Sequence, residues 1–170
     1  MHLVYRYRLV KFIYNIHTVT EFYKSWSGYN DELCWAATWL YRASELQHFS
    51  VIAKKYFTQL KCNYATGPIS WDDKSLLVQL HMAKLFPEDE MYVKIVQEEA
   101  DKLLTDHFKT PKGLLFNQKI SKWGSLRYAS NWAFFLLGAS RIEPRLPNHK
   151  EYYELAIQQL GYALGNTCQM

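Results

Sequence analysis

What most restricts this chain is the spacing of its apolar residues, which recur every three to four positions in one segment after another. That period belongs to helices with one buried face and does not fit a strand, whose faces alternate at every second residue. From Asp31 the stripe runs Leu33, Trp35, Ala36, Trp39 and Leu40, with Asp31 and Glu32 in the first turn, where negative charge complements the helix dipole. Ser44 is placed to cap a second helix carrying Leu46, Phe49, Ile52, Ala53, Tyr56, Phe57 and Leu60. A loop over 61–70 holds the turn signal Gly67-Pro68. The pattern then predicts a third helix over 72–86, stopped by Pro87, and a fourth over 88–107. A long loop over 109–125 contains Pro111, Gly113 and Gly124, with a short extended piece at Leu114-Leu115-Phe116. The fifth helix, 126–140, is nearly all apolar and is predicted to be central, and a sixth over 148–164 ends at Gly165-Asn166. Helix follows short loop with no strand ladder, so the fold class is all-α. Residues 1–20 lack a clean period and are read as a further helix.

Composition narrows the function classes. A chain of 170 residues, 49% apolar and 21% charged, is long enough for one buried core and is not a disordered tract. The net charge of +4 comes without basic runs, which leaves no electrostatic footprint for nucleic acid. The longest nearly apolar run, Trp132 to Ala139, is too short to span a membrane. The opening MHLVYRYRLVKFIYNIH is interrupted by Arg6, Arg8, Lys11 and Asn15 and does not read as a signal peptide, so the compartment stays open. Cys34, Cys62 and Cys168 are odd in number and show no CxxC or Cys/His spacing. They read as buried or free thiols rather than a disulfide or a zinc site.

Aromatic and polar residues gather before three helices. The clusters are Phe22 to Glu32, Trp71-Asp72-Asp73, and Trp123 to Tyr128. If neighbouring helices are antiparallel, the loops that open the first, third and fifth helices share one end of the bundle. Singly, each cluster has a structural explanation: acidic pairs cap helices, tryptophans anchor cores, and Arg127 pairs with a carboxylate. Together they offer flat aromatic faces beside hydrogen-bonding groups, which is what a sugar ring requires. Carboxylates beside the Ser27 and Gly28 carbonyls would instead suit a hard cation such as calcium.

At these clusters the chain resembles glycoside hydrolase family 9, the endoglucanases. The resemblance is carried by Ser25-Trp26-Ser27-Gly28-Tyr29-Asn30-Asp31-Glu32-Leu33, the Trp35 to Ala43 stretch behind it, Ser70-Trp71-Asp72-Asp73-Lys74, Thr110-Pro111-Lys112-Gly113-Leu114-Leu115-Phe116, Trp123-Gly124-Ser125-Leu126-Arg127-Tyr128-Ala129, and Gln159 to Asn166. The Thr-Pro-Lys-Gly-Leu-Leu wording is nearest to animal members. The resemblance implies a partial (α/α)6 barrel, about six of twelve helices, over residues 21–166, with 1–20 a divergent segment and 167–170 a tail. It also implies inverting endo-hydrolysis of β-1,4-glucosidic bonds in cellulose and related glucans. Phe22, Tyr23, Trp26, Asp73, Trp123, Arg127 and Tyr128 would line the glucan cleft. Ser27, Gly28, Asp31, Glu32 and Asp72 match the calcium position of some members, and no organic cofactor is implied. The family's catalytic base lies in a D-A-G-D motif upstream, and its acid is a Glu beyond a downstream Pro-His-His-Arg motif. Neither motif occurs here. The expectation is an endoglucanase segment that is inactive as given. The alternatives are a degenerate, non-catalytic β-glucan-binding module and a helical scaffold with a relic cleft. The family is usually secreted, and an open half-barrel is expected to self-associate through its uncovered side.

Overall fold

A computed structural model of the chain describes residues 24–65, 67–105, 109–119, 122–142 and 146–166. The helix expected over residues 1–20, the tail and Cys168 lie outside the described residues. Six helices occupy the remainder: α1 (Asn30–Ser44), α2 (Gln47–Gln59), α3 (Ser75–Leu85), α4 (Glu90–Leu104), α5 (Ser125–Ser140) and α6 (His149–Ala163). The only strand-like pairing among the described residues is an isolated antiparallel bridge between Lys109 and Leu115, the latter in the middle of the extended piece expected at Leu114-Leu115-Phe116. No described helix is long and apolar enough to cross a membrane.

The helices form two rows. α3 packs against α1 on one side and α5 on the other, and each of these three pairs with the helix that follows it. In the second row α4 meets α6, and the rings of Phe57 in α2 and Tyr92 in α4 meet edge to face, their centres 5.1 Å apart. This double layer, odd helices in one row and even helices in the other, is half of the twelve-helix ring that the resemblance implies. The helix expected to be central is joined there by another. α3 is buried almost all round, through Ser75, Leu76, Val78, Gln79, Leu80, His81, Met82 and Ala83. α5 buries Ala129, Trp132, Ala133, Phe135, Leu136 and Ala139 against it. At Gly138 the two helices approach so closely that a methyl group would overlap Leu80 Cδ2.

Helix ends follow local chemistry. Asp89 caps α4 by accepting the Met91 N–H at 3.2 Å. α6 closes with Gly165 at φ +92°, the Asn166 N–H reaching Gly161 O at 2.8 Å and the Gly165 N–H reaching Tyr162 O at 3.2 Å. That paired pattern requires a left-handed residue after the helix. Two expectations are corrected. Ser44 does not cap α2: it is the last residue of α1, its hydroxyl donates to Leu40 O at 2.6 Å, and Glu45 takes the left-handed turn before α2 begins. The third helix opens at Ser75 rather than 72 because Asp72 and Asp73 turn their carboxylates to other backbone N–H groups.

The larger correction concerns the cysteines. Cys34 in α1 and Cys62 after α2 are joined as a disulfide, and both are buried. They lie 28 residues apart, and nothing in their spacing marks them as partners.

Candidate functional site

The loops before α1 and α3 are sewn together by short polar contacts. The Asp72 carboxylate accepts the Trp26 N–H at 2.7 Å and the Ser27 N–H at 3.3 Å, while the Ser27 hydroxyl donates to the Asp72 carbonyl. Below them the Asp31 carboxylate accepts the Lys74 N–H at 2.8 Å. The third cluster joins through α5, where Asn131 Nδ2 donates to Ile69 O at 2.6 Å. All three sequence clusters therefore stand at one end of the bundle, as the parity of the loops requires.

On this end the tryptophan rings are exposed to solvent. Trp26 is 76% and Trp123 87% exposed, and Trp71 is partly so. Such exposure is unusual for tryptophan, which folding alone would bury. The Lys24 ammonium lies 4.8 Å from the Trp26 ring centre, and the exposed Arg127 guanidinium stands 4.4 Å from the half-buried Tyr128 ring. Arg127 is set by Gly124, whose φ of +69° opens α5 in a conformation that side chains resist. Asp73 holds the Ser75 N–H at 2.8 Å and stays half-buried at the same edge. Phe22 and Tyr23 fall outside the described residues. A hollow of about 190 Å³ lies behind this wall, between Leu76, Leu103, Trp132 and Phe135. It is smaller than the roughly 300 Å³ at which small-molecule pockets begin. The exposed tryptophans thus stand on open surface, an aromatic shelf rather than a closed pocket.

The acidic pair beneath the shelf is electrostatically loaded. Asp31 is 5% exposed and Glu32 is half-buried beside it. Burial, with the adjacent Glu32 carboxyl, pushes the Asp31 carboxyl up to about 7, against the opposing pull of the Lys74 N–H and ammonium. Lys74 Nζ contacts Glu32 Oε1 at 2.9 Å, Trp71 O at 2.9 Å and Asp31 Oδ2 at 3.7 Å. Asp31 Oδ1 and Glu32 Oε2 are buried with no donor from elsewhere in the protein, and the two side chains hydrogen-bond each other through the proton that the raised Asp31 carboxyl retains. Once ionised, a carboxylate pair facing each other in this way would fit a hard cation. Among the described residues no three carboxyl, imidazole or thiol groups converge as metal ligands, so carbonyl, hydroxyl or water oxygens would have to complete such a shell.

Three structural contributors went unread in the sequence. His81, buried in α3, faces Thr38 Oγ1 at 2.9 Å and Arg42 Nη1 at 3.4 Å, with the Trp39 ring 4.7 Å away. Burial and the positive charges of Arg42 and Lys84 lower it to about 4, so it is neutral at pH 7. Gln159, fully buried in α6, accepts from Leu115 N and donates to Gly113 O, fixing the loop before α5. Asn131 is the third. A polar residue on the inner face of a helix carries no periodic signal that separates it from a surface one.

Comparison with known proteins gives a consistent result. The sequence model described as Glycosyl hydrolase family 9 matches residues 5–170. Endoglucanase 4 of Bacillus sp. (strain KSM-522) is 31% identical over 87% of this chain and 24% of its own length. Endoglucanase 1 of Persea americana is 30% identical over 88% of this chain and 34% of its own. Among solved structures, the endoglucanase of the termite Nasutitermes takasagoensis superposes with a TM-score of 0.79 at 36% identity, over 89% of this chain and 33% of that one. Endoglucanase CelQ from Clostridium thermocellum, complexed with cellotetraose, gives 0.72 at 30% identity over 86% and 26%. This chain spans about a quarter to a third of the relatives it matches.

Proposed function

This chain belongs to glycosyl hydrolase family 9, and on that premise we propose that it forms one wall of a β-1,4-glucan cleft in an inverting endoglucanase. The observation that carries this reading is the shelf at the N-terminal ends of α1, α3 and α5, where Trp26 and Trp123 present solvent-exposed rings at the same end as Asp73 and Arg127. Pyranose C–H faces lie on the rings, and the carboxylate and guanidinium hydrogen-bond the hydroxyl rim. Tyr128 belongs to the same wall in this reading, and the family resemblance assigns Phe22 and Tyr23 the same glucan-lining role. The residues that protonate the leaving oxygen and activate water belong to motifs absent from these 170 residues, so the chain alone binds glucan without cutting it.

A structural calcium ion at Asp31 and Glu32 belongs to the same proposal, with Ser27, Gly28 and Asp72 supplying the further oxygens. Its chemistry there is charge neutralisation of a buried acidic pair, which ties the start of α1 to the loop that carries Trp71. Self-association through the side left open by half a ring is also part of the reading. A single monomeric species in size-exclusion chromatography would contradict that part.

Calorimetric titration with cellohexaose tests the main claim. Binding is expected in the wild-type chain and weakened about tenfold in Trp123→Ala, in line with the ~1–2 kcal/mol carried by one buried ring face. Flat titrations up to millimolar ligand would sink it. Reducing-sugar release from carboxymethylcellulose by the pure chain would overturn the non-cutting part. The second reading, a degenerate glucan-binding module, is favoured by the missing catalytic motifs. It predicts the same binding, and it fails if joining the chain to a family segment that carries the acid and base restores hydrolysis.

A further inference from the structure

The inner row has a second end, away from the shelf, and cations gather there. Arg42 stands in the last turn of α1, Lys84 in the last turn of α3, and Arg141 just past α5. Because α3 packs between α1 and α5, the three side chains issue from neighbouring helix ends. Their charges reach one another. Those of Arg42 and Lys84 act on His81, while partial burial and the charges of Arg141 and Arg42 lower Lys84 below the ordinary lysine value. No carboxylate balances them: the ion pairs among the described residues are Lys74 with Asp31 and Glu32, Lys94 with Glu98, and Lys102 with Glu99. Of the acids at this end, Asp89 accepts the Met91 N–H and bears with Glu88 on Tyr92, and Glu45 pairs with none of the three cations. Helix dipoles offset only part of the charge, since each C-terminus is equivalent to about −0.5, which leaves roughly +1.5 of the three.

Arg42 is also held in place by groups that do not cancel its charge. The Thr38 hydroxyl donates to Trp35 O at 2.8 Å, so it accepts from His81 Nδ1, and His81 Nε2 is left to accept from Arg42 Nη1 at 3.4 Å. The guanidinium lies 5.2 Å from the centre of the Trp39 ring. Of its five N–H donors, His81 takes one, and no other hydrogen bond of the group occurs among the described residues. We propose that the C-terminal ends of α1, α3 and α5 form an anion site for a compact oxyanion of the phosphate or sulfate class, held by Arg42, Lys84 and Arg141. Guanidinium forks match pairs of oxyanion oxygens, and the ammonium adds a point charge. A divalent tetrahedral anion offers an oxygen to each of three cations, whereas a carboxylate offers two oxygens and one charge. Occupancy relieves the repulsion among the three and ties the inner row together at the end opposite the shelf. The site is independent of glucan binding.

The test is calorimetric titration and thermal unfolding of the 170-residue chain with sodium sulfate and inorganic phosphate, ionic strength being matched with sodium chloride and acetate. Saturable binding of sulfate and phosphate with a rise in Tm is expected, and none with acetate or chloride. Sulfate also stabilises proteins through exclusion from their surface, but that effect does not saturate, and a variant would share it. Lys84→Gln is expected to weaken sulfate binding about tenfold, the loss of one charge-assisted hydrogen bond. Lys94→Gln, on the exposed face of α4, should leave it unchanged. Without sulfate and at low ionic strength, Lys84→Gln and Arg141→Gln should melt above wild type, because a repulsive charge is gone. Cations that merely complement helix dipoles give the reverse order, and that order overturns the proposal. So does an unmutated chain that shows no saturable sulfate binding, or a Lys94→Gln loss as large as that of Lys84→Gln.

Discussion

Gln159 and Leu115 meet across 44 residues of sequence: the buried glutamine oxygen accepts the Leu115 N–H at 2.7 Å while its nitrogen donates to Gly113 O at 2.9 Å. One side chain in α6 thus satisfies both a donor and an acceptor of the loop that leads to the Trp123 edge. Leu115 is fully buried, so its amide has no water to fall back on. Gln159→Leu is expected to cost about 1–3 kcal/mol, the penalty for leaving the buried Leu115 amide unpaired, the half-buried Gly113 carbonyl being able to turn to water. Urea unfolding monitored by tryptophan fluorescence reads this directly, and an unchanged midpoint would show that the clamp contributes nothing.

Asn131 is expected to behave differently. Its contact with Ile69 O ties the Trp71 loop to α5, and it is half-buried rather than sealed. Asn131→Ala should lower stability by only about 1 kcal/mol. Its larger effect should be on cello-oligosaccharide affinity, because the spacing between the Trp71 and Trp123 edges is no longer fixed. A binding constant equal to wild type would exclude a role for Asn131 in setting the shelf.

Two buried groups give stability opposite pH dependences. His81 is lowered from 6.5 to about 4, so between those values the unfolded chain takes up a proton that the folded chain refuses. Its contribution is present above pH 6.5 and lost as pH falls through 4. Asp31 is raised from 3.8 to about 7, and here the folded chain keeps a proton that the unfolded one releases. Its contribution is present below pH 3.8 and lost as pH rises through 7. The windows overlap and the slopes partly cancel. His81→Gln removes only the first, so relative to wild type its stability should fall more steeply from pH 4.5 to 6.5, by up to about 3 kcal/mol across the window. Parallel curves for the two proteins, from chemical denaturation at each pH, would show that His81 titrates alike in both states.

The disulfide is the fourth expectation. Linking positions 28 residues apart restricts the unfolded chain, and loop-closure entropy values this at about 3–4 kcal/mol. The double variant Cys34→Ala/Cys62→Ala should lose about that much, and dithiothreitol should destabilise wild type without affecting the variant. Equal sensitivity of the two proteins to reductant would contradict the bond.

Much of the fold was legible because the inner and outer rows leave different marks on the sequence. α2, α4 and α6 alternate buried and exposed residues at helical spacing, and α5 is apolar almost throughout. Pro87 and Gly165 end helices where backbone chemistry demands it. The site end was legible too, since the antiparallel parity of short-looped helices puts the three aromatic clusters together. What stayed hidden depends on partners far apart in sequence. Gln79 and Gln159 look like surface residues until neighbours supply their hydrogen bonds. Cys34 and Cys62 become a pair only once α1 and α2 fold back on each other. Ser44 has the chemistry of a cap, but it sits two residues too early: its hydroxyl donates back to Leu40 O and accepts only the N–H of Leu46, which itself takes the cap position of α2.

The bond between Cys34 and Cys62 also makes a closed ring of the α1–α2 hairpin, and the turn at its far end is the exposed pair Glu45-Leu46, with Glu45 at φ +55°. A protease that cuts there opens the peptide chain without parting it. The nicked protein should migrate as one species until it is reduced and then separate into two, while the shelf at the opposite end of the hairpin keeps its shape.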